Sequence, residues 1–183
     1  MVTCPELRTE RLRLRCWSPA DRVAFAAINR DPRVMEFLGE PLSRERSDKL
    51  VDWIEAAFEA NGFGFWVLEA PGVAPFVGIA GLGIPRFEAP FMPAVEVGWR
   101  LDPAYWGRGF ATEAASAAIA HAFDVVGLDE VVAFTARDNV RSQRVMERVG
   151  MRRDADGDFE HPLVEVGSPL RLHVLYRIRR TGR

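Results

Sequence analysis

The residues best suited to chemistry lie in one stretch, residues 95–126, in which a strand, a glycine turn and a helix follow one another directly. The strand ends in Trp99-Arg100-Leu101, and the turn carries Gly107 and Gly109. Glycines let a ligand approach the backbone closely. The first N–H groups of a helix have no partner within it, and the helix dipole favours negative charge there. The stretch therefore predicts a phosphate-bearing cofactor at residues 107–112.

Glu96, in the run V-E-V-G-W within the same strand, is the best candidate for a general base. Partial burial would raise its pKa toward neutrality, which suits a group that accepts a proton at physiological pH. The alternative is a structural carboxylate that is hydrogen-bonded across the sheet. The sequence leaves both roles open.

The elements that must position this stretch are predicted from hydrophobic periodicity and capping residues. Helices are expected after the caps Ser18, Ser43 and Asn139, and a face of Val23, Ala24, Ala27 and Ile28 is expected on the first helix. Alternating or β-branched runs predict strands at residues 10–17, 63–69, 76–84, 95–101, 130–135 and 170–178, with a short extended piece at 151. Adjacent strands mixed with strand–helix–strand crossovers predict a mixed sheet with helices on both faces.

Composition excludes several classes of protein. The 183 residues suggest one domain, residues 1–183, and the formal net charge of −2 argues against binding nucleic acid through bulk electrostatics. No apolar run approaches the length of a membrane span, and the N-terminal residues lack the apolar core of a signal peptide. Cys4 and Cys16 form neither a metal-ligand spacing nor a disulfide framework, which predicts inert thiols in a reducing, cytoplasmic location.

An acidic run, D-A-D-G-D-F-E-H, invites a metal interpretation. Asp154, Asp156 and Asp158 have the spacing of a calcium loop, and Glu165 falls at its twelfth position. Phe159, however, stands where the sharp turn of such a loop needs glycine. We therefore expect a solvated turn and no metal site.

The glycine turn G-R-G-F-A-T does not have the spacing of the common nucleotide-binding loops. A dinucleotide fingerprint needs Gly or Ala where Thr112 stands, and a P-loop needs Gly-Lys-Ser/Thr, which is absent. An enzyme of doubly wound fold that binds some other phosphate-bearing ligand therefore ranks third, after the two hypotheses given below.

The turn instead resembles the acetyl-CoA signature of the GNAT N-acetyltransferases, Gln/Arg-x-x-Gly-x-Gly/Ala. Trp106 departs from this pattern, because it stands where the family usually has Gln or Arg. The version W-G-x-G-x-A-T-E, the opening T-E-R-L-R-L-R-C-W-S-P-A-D and the later A-R-D-N-V-R-S-Q-R-V-M-E-R-V-G-M resemble the branch of ribosomal-protein alanine N-acetyltransferases. The resemblance spans nearly the whole chain in matching order.

The resemblance implies a fold and a cofactor site. The fold would be a GNAT-like α/β arrangement, with a mixed, mostly antiparallel central sheet of six to seven strands flanked by helices on both faces. The co-substrate would be acetyl-CoA, with the backbone of Trp99 and Leu101 pairing with its pantetheine arm. The remaining cofactor-binding residues would be Trp106, Gly107, Arg108, Gly109, Ala111, Thr112, Asn139 and Ser142.

The resemblance also implies an N-acetyltransferase that moves the acetyl group to a primary amine, a protein N-terminus or a small molecule, by direct attack on the thioester. Glu96 would be the base. Ser142 would either donate a proton to the coenzyme A thiolate or hydrogen-bond to the cofactor, and Asn139 would either face the cofactor or only cap its helix. The protein would be a monomer or homodimer; a non-catalytic CoA-binding sensor or interaction module is the alternative.

The proline-rich segment P-R-F-E-A-P-F-M-P, residues 85–93, supplies the expected acceptor pocket. Three prolines exclude regular structure there. Phe87 and Phe91 form either an apolar lip over the substrate or a loop that packs on the core. His161 is expected to contact the acceptor or, alternatively, to be a surface histidine, while His121 and His173 are expected to be structural.

Overall fold

Eight strands join into one sheet in the computed structural model, which describes residues 4–180. Their order across the sheet is β1-β2-β3-β4-β5-β6-β8-β7. The strands are β1 Leu7–Arg8, β2 Arg13–Arg15, β3 Phe65–Ala70, β4 Ala74–Gly83, β5 Glu96–Leu101, β6 Glu130–Ala136, β7 Arg152–Glu160 and β8 Leu172–Arg179. The predicted mixed α/β fold is confirmed. The count exceeds the predicted six to seven because the two-residue β1 pairs with β2 at one edge.

Neighbouring strands are antiparallel except β5 and β6, which run parallel. The ladder between these two strands holds a single residue pair, Glu96 opposite Val132. Beyond this pair, β5 continues to Leu101 along β4, and β6 continues to Ala136 along β8. The sheet therefore splits at its centre.

The described residues form five α-helices: α1 Asp21–Arg30, α2 Pro32–Met35, α3 Arg44–Asn61, α4 Phe110–His121 and α5 Val140–Arg148. α1 packs on α3 and β4, whereas α4 packs on β4 and β5. The side chains of Ser43 and Asn139 accept hydrogen bonds at the first turns of α3 and α5, as predicted from their cap positions. α4 continues into one π turn, Ala122–Val126, which ends at the left-handed Gly127.

The predicted apolar face of α1 is wrong except at Ile28, which is buried. The buried residues of the helix are Asp21, Phe25, Ala26, Ile28 and Asn29, while Val23 is 61% exposed. Two polar residues can occupy the buried face because each finds a polar partner. The Asp21 carboxylate accepts two bonds from the Arg15 guanidinium at 2.8 Å, and Asn29 bonds to Ser47. The pairing of the Asp21 charge and of the Asn29 amide therefore decided which face of α1 is buried, more than hydrophobic periodicity did.

The expectation of two unpaired cysteines is also wrong. Cys4 and Cys16 form a disulfide, with their Cα atoms 5.9 Å apart. The antiparallel pairing of Leu7 with Leu14 turns the chain back on itself and brings these two residues close together. The argument for a reducing compartment from cysteine usage therefore falls, because disulfides are typical of oxidising environments.

The acidic run forms a strand over residues 154–160, not the solvated turn that was predicted. It lies in β7, paired with β8, and its register shifts between Asp154 and Phe159. Asp154 and Asp158 accept hydrogen bonds from Arg177 and Arg153. In residues 4–180 no three His, Cys, Asp or Glu side chains are grouped so that they could hold a metal ion.

Within the same residues, none of the helices has both the length and the apolar character needed to cross a membrane.

Candidate active site

The gap between β5 and β6 exposes unpaired backbone groups of β5. The amide of Val132 donates to the carbonyl of Val95 at 3.0 Å, so odd-numbered residues of β5 direct their N–H and C=O groups toward β6. This alternation carries the backbone groups of Trp99 and Leu101 into the gap, where β6 has already diverged. The Leu101 carbonyl accepts a bond from the Trp106 indole N–H at 2.9 Å.

The glycine turn follows β5 through a short 3₁₀ turn, Pro103–Tyr105, which is capped by Asp102. Gly107 and Gly109 have φ angles of 75° and 82°, which only glycine adopts without strain. Gly109 is the N-cap of α4, and no side chain caps that helix. Its first N–H groups are therefore available to an anion.

A groove of about 340 Å³ begins at this turn. It is lined by nine of the ten predicted cofactor residues: Trp99, Leu101, Trp106, Gly107, Gly109, Ala111, Thr112, Asn139 and Ser142. Arg108 is the exception. Its side chain is directed to the ring of Tyr105, 5.5 Å away, although its backbone belongs to the same turn.

The rim of this groove is basic, with Arg33, Arg141, Arg144 and Arg148 among its lining residues. The Arg141 guanidinium lies 4.5 Å from the centre of the Trp106 ring and pairs with Glu36. Trp106 therefore has two functions that a polar residue could not combine: it closes the turn through its indole N–H and supports a cation over the groove. Four cations suit a ligand with several phosphates.

Glu113 braces the turn from the side of the N-terminal strands. Its carboxylate accepts bonds from the Thr9 hydroxyl at 2.5 Å and from the Arg11 backbone and side chain at 2.8 and 2.7 Å. Arg11 in turn donates to the Arg108 carbonyl at 2.9 Å. Desolvation would raise the pKa of Glu113, but the bonds from Thr9 and Arg11 outweigh it and hold this pKa below the ordinary value.

We expect Glu113→Gln to lower stability by about 1–3 kcal/mol, because it weakens several charge-assisted bonds at once. It should also weaken acetyl-CoA binding several-fold, since Arg108 loses its brace. A depressed carboxyl pKa contributes stability that is present above the unfolded value of 4.5 and is lost as the pH falls through the folded-state value, so the difference between variant and wild type should shrink as the pH falls below 4.5. Urea unfolding and calorimetry measure both effects. Glu45→Gln, on an exposed pair with Lys49, is the control and should change neither quantity appreciably.

A second cavity, of about 700 Å³, lies where β5 and β6 diverge. Glu96, Gly98, Thr135 and Met146 are among its lining residues. It adjoins the groove, and the two share six lining residues: Phe37, Leu38, Trp99, Arg100, Asn139 and Ser142. A ligand in the groove and a second ligand in this cavity would therefore meet at the end of β5.

Glu96 lies in the wall of the second cavity at the point where the sheet splits. Burial raises the pKa of its carboxyl to about 7. Its side chain takes part in none of the hydrogen bonds or ion pairs formed among residues 4–180, so the alternative of a carboxylate bonded across the sheet has no counterpart there. A carboxylate with such a pKa changes charge near neutral pH, as a general base requires.

Asn139 and Ser142 stand at the junction of the two cavities. The Asn139 side chain accepts a bond from the Ser142 amide at 3.2 Å and donates to Thr135 and Ser142 at 2.9 and 3.1 Å. Asn139 therefore caps α5 and lines the site at once. It also fixes the Ser142 hydroxyl at the wall that the two cavities share.

Phe87, Phe91 and His161 belong to one aromatic cluster with Phe134, Phe159 and His173. His161, Phe134 and His173 line the second cavity, and the rings of Phe87 and Phe91 pack behind them. Burial, with smaller contributions from His173 and Arg171, lowers the pKa of His161 to about 4. Burial also lowers the pKa of His173. Both imidazoles are therefore neutral at physiological pH.

Most lining residues of the second cavity were not predicted from the sequence as site residues, among them His173, Phe134 and Arg100. A signal existed for Arg100, because the alternation of β5 puts it on the same face as Glu96 and Gly98. For Phe134 and His173 no such signal existed. Their positions depend on the pairing of β6 with β8, which the sequence of neither strand predicts.

A split mixed sheet, a glycine turn at a helix N-terminus and two cavities that meet at the split define an acyltransferase of the GNAT type. Residues 11–152 match the family model for the acetyltransferase (GNAT) domain, so the chain belongs to this family. The predicted resemblance to the GNAT family is confirmed, and the protein is a transferase.

Similar proteins support this assignment. An FsC-acetyl coenzyme A-N(2)-transacetylase from Aspergillus fumigatus is 33% identical over 80% of this chain; the chain spans 65% of the length of that relative. The crystal structure of an acetyltransferase from Agrobacterium tumefaciens is 29% identical, with a TM-score of 0.77 over 96% of this chain and 95% of that one. A ribosomal-protein-S5-alanine acetyltransferase from Vibrio fischeri, 21% identical with a TM-score of 0.73 over 96% of both chains, shares the fold.

Proposed function

We propose that this protein transfers the acetyl group of acetyl-CoA to a primary amine, at a protein N-terminus or on a small molecule, by direct attack of the amine on the thioester. GNAT acetyltransferases use acetyl-CoA, so the coarser assignment follows from the family. The observation that carries the finer proposal is that the basic groove and the cavity of Glu96 share the wall at Trp99, Asn139 and Ser142.

The groove has the chemistry that coenzyme A requires. The backbone N–H groups of residues 107–109 and 111–112 would hold the pyrophosphate at the uncapped start of α4. The outward backbone of Trp99 and Leu101 would pair with the pantetheine amides, although the Leu101 carbonyl is already bonded to Trp106. Acetyl-CoA supplies the activated acetyl group, and an N–H of the split strand end would stabilise negative charge on the carbonyl oxygen.

Glu96 would receive the proton of the attacking amine, directly or through a water. An α-amine has a pKa of ~8 and a lysine amine one of ~10.4, so an α-amine needs little help near neutral pH. A carboxylate with a pKa of about 7 matches that demand. Phe87, Phe91 and His161 would form or support the acceptor pocket, in which the neutral His161 avoids repelling an ammonium group.

Ser142 would donate a proton to the departing thiolate. A tyrosine often has this role in related enzymes, but among residues 4–180 no tyrosine lines the second cavity. Tyr176 instead directs its hydroxyl to Gln143 and Glu147.

We expect Ser142→Ala to lower kcat about tenfold, as the loss of one hydrogen bond in the transition state would. The KM for acetyl-CoA should stay within a factor of two. Steady-state assays of thiol release measure both quantities, with the exposed Ser116→Ala as control. A raised KM at unchanged kcat would instead mean that Ser142 only hydrogen-bonds to the cofactor.

Two measurements test the proposed function. Calorimetry should show acetyl-CoA binding to the purified protein in the micromolar range. Thiol release should then depend on an added amine in a screen of peptides and small amines. Binding without any amine-dependent release would favour the non-catalytic sensor, which is also supported by the absence of a tyrosine among the described residues that line the second cavity. Nucleotide binding without CoA binding would favour a phospholigand enzyme.

We also propose one domain in residues 1–183, monomeric or homodimeric, without metal, nucleic acid or membrane as partner, and a cytoplasmic location, against which the Cys4–Cys16 disulfide counts. The net charge of −2 supports the absence of nucleic acid. The Cys4–Cys16 disulfide makes the location testable, because disulfides are rare in a reducing cytoplasm. Thiol labelling in freshly lysed cells should find both cysteines reduced if the protein is cytoplasmic.

A further inference from the structure

Arg100 is a cation in the wall shared by both cavities, and a neutral amide holds it in place. Its guanidinium donates to the Asn29 side-chain oxygen at 2.5 Å, and the Asn29 nitrogen donates to Ser47 at 2.9 Å. Asn29 and Ser47 are fully buried. The ring of Phe25 lies 5.7 Å from the guanidinium carbon. This support fixes the position of the charge without neutralising it.

No carboxylate of residues 4–180 forms an ion pair with Arg100. Arg15 provides the contrast, because its half-buried guanidinium binds both Asp21 and Glu69. Burial lowers the pKa of Arg100 to about 10, so the group is still charged at neutral pH. A desolvated cation is costly unless an anion accompanies it. The remaining donors of Arg100 are thus available to an anion that enters the cavity.

The charges of the second cavity are arranged for a dipolar ligand. Arg100 is the one arginine or lysine among the described residues of its lining, which also contains Glu40, Glu96 and Glu165. Glu96 and Arg100 lie on the same face of β5, with Cα atoms ~13 Å apart at the rise of a strand. One cation matches a carboxylate rather than a phosphate dianion, and the carboxylates attract an ammonium group.

The rest of the lining is largely apolar. Trp53, Ile54, Phe65, Phe134 and Leu170 are among its members. An apolar or aromatic side chain would be desolvated against these rings and branched chains.

We propose that the acceptor is a free amino acid with an apolar side chain, and that Arg100 is a specificity-determining residue that binds its carboxylate. The inference rests on the proposed function, because it concerns the acceptor of that same reaction. It selects a small acceptor over a protein N-terminus, in which the carboxylate beside the amine is replaced by an amide.

Matched pairs of acceptors test the proposal: leucine against leucinamide, and phenylalanine against phenylalaninamide. The wild-type kcat/KM should be at least tenfold higher for each acid, even though its amine is the more strongly protonated of the two. Arg100→Gln should lower the value for the acids about 10- to 100-fold, the worth of a hydrogen bond to a charged group, and leave the amides unchanged. Equal values for acid and amide in the wild type would overturn the proposal.

The variant Asn29→Asp distinguishes an Arg100 that binds the acceptor carboxylate from an Arg100 that only supports the fold. The new aspartate would keep the bond that positions Arg100, but its carboxylate would neutralise the guanidinium from inside the protein. The preference for amino acids over their amides should therefore disappear, although Arg100 is still present. If Arg100 only supports the fold, Asn29→Asp should leave the acid-to-amide ratio unchanged. Arg46→Gln is the control, since it removes an exposed guanidinium on α3 that lines neither cavity. That variant should keep the wild-type ratio.

Binding of reaction products makes the test independent of turnover. In the presence of coenzyme A, N-acetylphenylalanine should bind at least tenfold more tightly than its amide, and Arg100→Gln should abolish the difference. Equal binding of the two products refutes the role of Arg100 even if no acceptor turns over. Acetyl-CoA binding with turnover of amides alone refutes this inference but leaves the proposed function intact. Loss of acetyl-CoA affinity in Arg100→Gln would assign the residue to the cofactor instead.

Discussion

Glu96→Gln should lower kcat by about 100-fold at pH 7.5 and leave the affinity for acetyl-CoA unchanged. The amide keeps the shape of the side chain but cannot accept the proton of the amine, and general base catalysis contributes ~10²–10⁴-fold in enzymes. Glu96 lines the second cavity and not the groove at the glycine turn, so a defect in acetyl-CoA binding is not expected. Steady-state thiol release and calorimetry with acetyl-CoA measure the two quantities separately.

The pH profile gives this prediction a second signature. The carboxyl has a pKa of about 7, so it is ionised, and able to act as a base, above that pH. Wild-type kcat should therefore rise through pH 7 and fall about tenfold per pH unit below it. In Glu96→Gln this limb should vanish, leaving only the titration of the amine at higher pH. A wild-type limb that survives the substitution would transfer the role to another group.

Stability should change in the opposite sense to activity. A carboxyl whose folded-state pKa is raised from 4.5 to about 7 binds its proton more tightly in the folded protein. That contribution is complete below pH 4.5 and is lost as the pH rises through 7. At pH 8 Glu96→Gln should therefore be more stable than wild type by about 1–3 kcal/mol, toward the lower end because the carboxylate faces the cavity. At pH 4 urea unfolding should give equal values.

The groove at the glycine turn could be predicted from the sequence because its residues are close together in the chain. Strand, turn and helix follow one another within residues 95–112, and their conformations depend on Gly107, Gly109 and the uncapped start of α4. The same holds for Asn139. Its residue type predicts an N-cap, and the side chain of an N-cap bonds to a backbone N–H in the first turn, here that of Ser142. Short-range rules of backbone geometry are sufficient for such features.

The acceptor half could not be predicted to the same depth because it depends on pairing between distant elements. Arg100 takes its position from Asn29, 71 residues away, and His173 faces the cavity only because β8 pairs with β6. The wrong face assigned to α1 has the same origin. Asn29 and Asp21 are buried against partners on other elements, which hydrophobic periodicity within one helix cannot reveal.

Gly109→Val should weaken acetyl-CoA binding by at least 100-fold. Gly109 has a φ angle of 82° at the N-cap of α4, and it lines the groove that begins at the glycine turn. A β-branched residue resists this conformation at a cost of about 1–2 kcal/mol, and its side chain would occupy space beside the first N–H groups of the helix. Both effects remove the surface on which a pyrophosphate would rest, so calorimetry should detect no binding at micromolar protein.

Gly127→Val separates the loss of the cofactor surface from the strain of the backbone. Gly127 has the same φ angle of 82°, and a Cβ there would have no atom within 4 Å. At Gly109 a Cβ would meet only the Arg11 side-chain terminus, at 3.2 Å, which can move. The two variants should therefore lose similar stability in urea. Only Gly109→Val should lose acetyl-CoA, because Gly127 lies outside both cavities. Equal affinities in the two variants would mean that the turn does not bind the cofactor.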